Sequence, residues 1–129
     1  MCSKEQVEAI TKSISKFAKE LFAEKLDSVI LYGSYARGDY NSESDLDVML
    51  LVNVDKNELP KFHWDTGKFA SRMSLEHEVL VSLSLQDLNT FNKYKDALPY
   101  YRNINSEGLR INEWELPLWN SKLPFGKSW

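Results

Sequence analysis

Residues 28–52 read SVILYGSYARGDYNSESDLDVMLLV, and the fold of the whole chain depends on how this stretch is parsed. An apolar run from Val29 to Tyr32 stops at Gly33-Ser34. A short Gly- and Asp-rich connection follows, and Asp45-Leu46-Asp47 then opens a second apolar run, Val48 to Val52. Aliphatic and β-branched runs of this length, bounded by Gly, Asn, Asp and Ser, predict two strands. Alternate side chains of a strand share a face, so Asp45 and Asp47 are expected to project side by side from the start of the second strand. Two carboxylates held together repel each other, and a hard divalent cation such as Mg2+ removes the conflict. Gly33 lets the backbone come close to a ligand, while Ser34 offers a hydroxyl and an N–H to phosphate oxygens. A phosphate cradle next to a two-carboxylate metal site is equipment for moving a nucleotidyl or phosphoryl group.

Gly33-Ser34, ten residues and then Asp45-x-Asp47 resembles the signature of the DNA polymerase β-like nucleotidyltransferase superfamily. The likeness is nearest to its small bacterial members, the minimal nucleotidyltransferases encoded beside HEPN-domain proteins. The stretch Leu98-Pro99-Tyr100-Tyr101-Arg102-Asn103-Ile104-Asn105-Ser106-Glu107-Gly108 resembles the C-terminal part of those proteins, so the likeness spans roughly residues 5–112. A β-loop-β turn whose Asp and Ser only cap and solvate would explain a lone Asp-x-Asp. It does not explain a Gly-Ser at the family spacing that follows one predicted strand while the Asp pair opens the next.

The resemblance implies further residues. Ser44 matches the serine that commonly precedes the first aspartate, where it helps to set the turn. Members of the superfamily carry a third carboxylate on the strand beside the Asp pair. The matching position here is Glu78, four residues before Ser82, where the family usually has an aspartate. Glu76 is the rival, because a period of two puts Glu76 and Glu78 on one face of a strand predicted over Glu76–Leu83. Glutamate's additional methylene changes the reach to a metal. Arg37, one turn along from Ser34, can reach the same phosphates or pair with Asp39 or Glu43.

At 129 residues the chain has the size of one domain, taken here as residues 1–129 with a motif core at about 28–83. Its formal net charge of −3 argues against a long nucleic acid as substrate, since phosphate tracking needs a basic surface. The single cysteine, Cys2, allows no intramolecular disulfide, and no Cys/His cluster has zinc spacing. The start MCSKEQVEAI lacks the apolar core of a signal peptide, and no apolar run reaches membrane-spanning length, so a cytoplasmic protein without a membrane partner is expected.

Residues 4–25 predict an amphipathic helix whose stripe, Val7, Ile10, Ile14, Phe17, Leu21 and Phe22, covers the sheet. Tyr35–Gly38 predicts a helical turn and Leu46–Val52 a buried central strand. Lys61–Ser74 predicts a helix with Phe62, Trp64, Phe69 and Met73 as its imperfect apolar set. Ser84–Tyr94 predicts a helix begun by a capping pattern, and Ala97–Gly108 another, with Pro99 in its first turn and Gly108 at its C-cap. Leu109–Trp114 predicts an edge strand. The apolar stretch 116–129 is expected either to complete this domain or to pack on a partner. His63 and His77 have no fixed-spacing partner and are read as structural or exposed.

This element order predicts an α/β fold, a small mixed sheet flanked by helices. The resemblance implies a Mg-dependent enzyme in which Asp45, Asp47 and Glu78 hold two Mg2+ ions, while Gly33, Ser34, Arg37 and Ser44 face the nucleotide. The implied reaction moves a nucleoside monophosphate, AMP from ATP, to a hydroxyl acceptor on a HEPN-type partner and releases pyrophosphate. Two alternatives stand beside it: transfer to a small molecule of the aminoglycoside type, and a non-catalytic nucleotide- or partner-binding module. A homo-oligomer is left open.

Overall fold

The structure, a computed structural model, describes residues 3–41 and 43–111. Helix α1 (Lys4–Phe22) starts at Ser3, whose hydroxyl accepts the Gln6 N–H at 3.1 Å while the Gln6 side chain accepts the Ser3 N–H at 3.0 Å. This reciprocal pair satisfies donors that a helix start leaves open. The predicted stripe is core, with Val7, Ile10, Ile14 and Phe22 buried and Phe17 and Leu21 packed against them. α1 ends sooner than its periodicity suggests, tightening into a 3-10 turn at Ala23–Lys25.

Strand β1 (Leu26–Tyr32), the single-turn helix α2 (Ser34–Arg37) and strand β2 (Leu46–Val52) follow. Then come α3 (Pro60–His77), β3 (Val81–Asp87), α4 (Leu88–Tyr94), α5 (Pro99–Glu107) and β4 (Leu109–Ile111). The sheet order is β3-β2-β1-β4. β1 is antiparallel to both β2 and β4, whereas β2 and β3 are parallel. Parallel neighbours need a crossover, which α3 supplies. The four-stranded mixed sheet flanked by helices is the α/β arrangement expected from the sequence.

Both faces of the sheet are covered. Val29, Leu31, Val48, Leu50 and Val52 meet α1 and α3, where Phe17 stacks on Phe69 with centroids 4.2 Å apart. Ile30, Met49 and Leu51 meet Phe91 of α4 and Ile104 of α5. β2 is therefore sandwiched, which explains its continuously apolar sequence.

Three expectations need correction. Trp64 does not face inward; it is 75% exposed. The third strand lies at Val81–Asp87 and not at Glu76–Leu83, because α3 continues to His77. Ser74 fixes that boundary. Its hydroxyl donates back to the Ala70 carbonyl at 2.9 Å and accepts the Val81 N–H at 2.9 Å, tying the first residue of β3 to the last turns of α3. Ser84-Leu85-Gln86 accordingly belongs to the strand, and Asp87 caps α4 by accepting the Thr90 N–H at 2.9 Å. Gly108 is the C-cap of α5 as expected, its N–H donating to the Ile104 carbonyl at 2.9 Å, though in an extended and not a left-handed conformation (φ −69°). It is glycine for space, since a Cβ there would collide with the Ile104 carbonyl and with Ile30.

No helix among the described residues is long and apolar enough to cross a membrane. The apolar stretch 116–129, and the predicted edge strand beyond Ile111, lie outside the described residues.

Candidate active site

Asp47 is the second residue of β2, opposite Tyr32 of β1 on one side and Ser82 of β3 on the other. It is half-buried, whereas Asp45, just ahead of the strand, is exposed. Burial raises the Asp47 carboxyl above the ordinary carboxylate range, the charge of Asp45 pushes it the same way, and Arg37 partly opposes both. The predicted crowding of two carboxylates is thus present in the fold.

Gly33 ends β1 with φ +77°, a conformation that strains any side chain. A Cβ at this position would also stand 2.6 Å from Asp47 Oδ2. The Gly-Ser turn and the acidic pair, twelve residues apart in the chain, therefore share one small space. The turn is closed by backbone carbonyls. Gly33 O accepts the Ala36 and Arg37 N–H groups at 3.1 Å, and Ser34 O accepts the Gly38 N–H at 2.9 Å. Tyr35, fully buried and stacked on Tyr40 at 4.5 Å, anchors the turn in the core.

Arg37 does not pair with Glu43. Its Nε donates to Asp39 Oδ2 at 3.2 Å, and a terminal nitrogen lies 4.0 Å from Glu107 Oε2. Ser44 shapes the approach to Asp45: its Oγ accepts the Asn41 N–H at 2.9 Å, and its own N–H donates to the Asn41 carbonyl at 3.1 Å.

Glu78 is not on the strand beside the Asp pair. It caps α3 in the left-handed region (φ 54°, ψ 40°) and is exposed. Glu76 lies in the last turn of α3 and pairs with Arg72 at 3.7 Å. The β3 residues in register with Asp47, Met49 and Leu51 are Ser82, Ser84 and Gln86, so this side of β3 offers hydroxyls and an amide. Among the described residues no group of three or more His, Cys, Asp or Glu is gathered to hold a metal. Asp45 and Asp47 form an all-oxygen donor pair that suits a hard cation completed by ligand and water oxygens.

Sequence reasoning assigned no role to a second wall. A cavity of about 250 Å3 adjoins Gly33 and is lined by Tyr32, Arg37, Tyr100, Asn103, Ile104 and Glu107. The Tyr32 hydroxyl lies 3.2 Å from Ser84 Oγ, and Tyr100 meets Tyr32 edge-on at 6.5 Å. Burial, then the hydrogen bond with Tyr32, pushes the Tyr100 phenol well above its ordinary range. Tyr32 directly precedes Gly33, a signal that was available. The α5 residues reach the site only because β4 folds back along β1. A larger cavity of about 660 Å3, between α1 and α3, contains none of these groups; Lys16, Glu20, Asp65 and Lys68 rim the Phe17–Phe69 stack there.

The model of the nucleotidyltransferase domain family matches residues 11–112. Two proteins of Methanocaldococcus jannaschii carry provisional names as protein adenylyltransferases. MJ0141 is 47% identical over 75 residues, 57% of this chain and 72% of its own length. MJ0604 is 30% identical over 100 residues, 75% of this chain and 92% of its own. Among solved structures, a protein from Sulfolobus solfataricus provisionally described as a nucleotidyltransferase has 23% identity and a TM-score of 0.47, over 74% of this chain and 85% of that one. A toxin-antitoxin with AMP-PNP has 19% identity and a TM-score of 0.48, over 87% of this chain and 82% of that one.

Proposed function

The chain belongs to the nucleotidyltransferase domain family, and from that premise we propose that it transfers AMP from ATP to a hydroxyl on a partner protein. The observation that carries this reading is the close approach of Gly33 to the Asp47 carboxylate, which puts the phosphate-facing turn and the acidic pair in one space. The names of the two M. jannaschii relatives support AMP as the group moved and a protein as its acceptor.

In this reaction the acceptor oxygen bonds to the α-phosphorus as the bond from that phosphorus to the leaving oxygen breaks. Pyrophosphate departs and the acceptor's proton passes to solvent. Asp45 and Asp47 would hold Mg2+, for which their crowded, oxygen-only pairing is suited. When bound, Mg2+ supplies neutralisation of the triphosphate charge and a more acidic acceptor hydroxyl. The bare Gly33 backbone lets the triphosphate approach, and Ser34 donates to its oxygens. Arg37, exposed between Asp39 and Glu107, turns its guanidinium to the phosphates when they arrive. Positioning and charge neutralisation carry such a transfer, so few protein groups are required.

Two carboxylates rather than three take part in this scheme, because Glu78 stands at the end of α3. The same observation favours a second reading, a module that binds nucleotide without transferring it. The resemblance to HEPN-associated nucleotidyltransferases names the acceptor to try first. Incubation of the chain with labelled ATP, Mg2+ and a HEPN-type protein should add AMP-sized mass steps to that protein. ATP binding with no adduct would establish the binding module, and an adduct on an aminoglycoside instead would replace the protein acceptor by a small molecule.

A further inference from the structure

α5 turns Ile104 and Tyr101 to the sheet, and beside this core stripe runs a polar flank. Tyr100, Asn103, Ile104 and Glu107 stand at helix spacings of three and four, and all four line the cavity beside Gly33, yet only Ile104 is buried. That flank presents a tyrosine, an amide and a carboxylate to the cavity, while the core stripe alone holds the helix to the sheet.

We propose that this cavity takes the nucleoside part of the nucleotide, with Tyr100 as the platform for the base and Asn103 as the residue that selects adenine. The inference rests on the adenylyl-transfer reading and deepens it. Gly33 belongs both to the cavity wall and to the space around Asp47, so a triphosphate lying against Gly33-Ser34 leads its nucleoside into the cavity. The volume of about 250 Å3 is below the range usual for a whole ligand and suits the nucleoside alone. Tyr100 is 50% exposed while its ring is held edge-on by Tyr32 at 6.5 Å and by Tyr101 at 5.2 Å. A fixed, half-open aromatic ring is a stacking platform for a base.

Stacking does not distinguish bases; hydrogen bonding does. Asn103 is exposed, and its carboxamide makes no hydrogen bond among the described residues. A carboxamide offers one donor and one acceptor side by side, which complements adenine's N7 acceptor and N6 amino donor. Guanine shows two acceptors on the same edge and is mismatched.

The test is equilibrium binding to the full chain with Mg2+, by calorimetry, of ATP, GTP and inorganic triphosphate. The wild type is expected to prefer ATP over GTP by about tenfold or more, and Asn103→Leu to bring that ratio toward one. Tyr100→Leu should weaken ATP about tenfold, while Tyr100→Phe, which keeps the ring, holds most of the affinity. None of these variants should alter binding of inorganic triphosphate, which reads the Gly33-Ser34 end alone. An ATP-to-GTP ratio unmoved by Asn103→Leu, or a wild type that prefers GTP, overturns the pocket assignment and leaves the transfer reading standing. A wild type that binds neither triphosphate nor nucleotide overturns both.

Discussion

Asp47 carries an electrostatic cost in the metal-free protein, and that cost gives it a signature. Its folded-state pKa is raised above the ordinary value of 3.8, so the folded chain holds the Asp47 proton more tightly than the unfolded chain does. The stability linked to this proton is complete below the unfolded pKa, is lost as pH rises through the folded pKa, and is absent above it. Asp47→Asn removes the charge, so without metal the variant should melt higher than wild type at neutral pH, with the difference shrinking as the medium is acidified toward pH 3.8. Thermal unfolding across pH checks this, and a variant that melts lower at neutral pH would contradict the crowding. Transfer activity should be abolished in the same variant. Gly33 is constrained differently, by both a positive φ and the Asp47 oxygen 2.6 Å from any added Cβ. Gly33→Ala should destabilise the fold by about 1 kcal/mol or more. It should also depress transfer even at temperatures where the variant is fully folded, since the methyl displaces the carboxylate. Normal transfer by folded Gly33→Ala would separate the turn from the acidic pair.

At the scale of elements, the junction of α3 and β3 decides what Glu78 does. Leu46–Val52 was legible as a strand because its ends are marked by Asp and Asn and its interior is apolar throughout. The start of β3 was not, because the apolar run Val79-Leu80-Val81 reads as strand and Glu76–Leu83 carries no Gly or Pro to stop the helix before it. What ends α3 is Glu78 itself, in a left-handed conformation that a sequence pattern assigns to Gly or Asn. The strand's start is then set by the Ser74 hydroxyl, a contact across seven residues that periodicity does not encode. Glu78→Gly should accordingly stabilise the protein by about 0.5–1 kcal/mol, the gain expected when glycine relieves a left-handed residue. A strand residue would respond in the opposite direction, so a lowered melting temperature would restore the sequence-based boundary. Glu78→Gln should leave nucleotide transfer close to wild type, in contrast to Asp45→Asn and Asp47→Asn. A loss as deep as theirs would return Glu78 to the metal site.

Across the whole molecule, the site is a seam between parts that the chain places far apart. The Asp pair and the Gly-Ser turn were readable because one hairpin, β1 to β2, holds both. The α5 wall was not, because nothing local to residues 99–107 says that β4 will pair with β1 and bring Tyr100 and Asn103 beside Gly33. A nucleotide bound as proposed would touch β1, β2 and α5 together, so its binding should be felt as global stability. Ligand at a hundred times its Kd adds about 2.7 kcal/mol to the folded state. ATP with Mg2+ at such excess should therefore raise the melting temperature of wild type by several degrees. It should do so much less for Asp45→Asn and Asp47→Asn, in which the proposed metal site loses a carboxylate. Tyr100→Leu should show an intermediate shift with ATP and a wild-type shift with inorganic triphosphate, because the platform meets only the base. Equal shifts for all four proteins would mean that the nucleotide binds elsewhere, with the cavity between α1 and α3 as the next place to look.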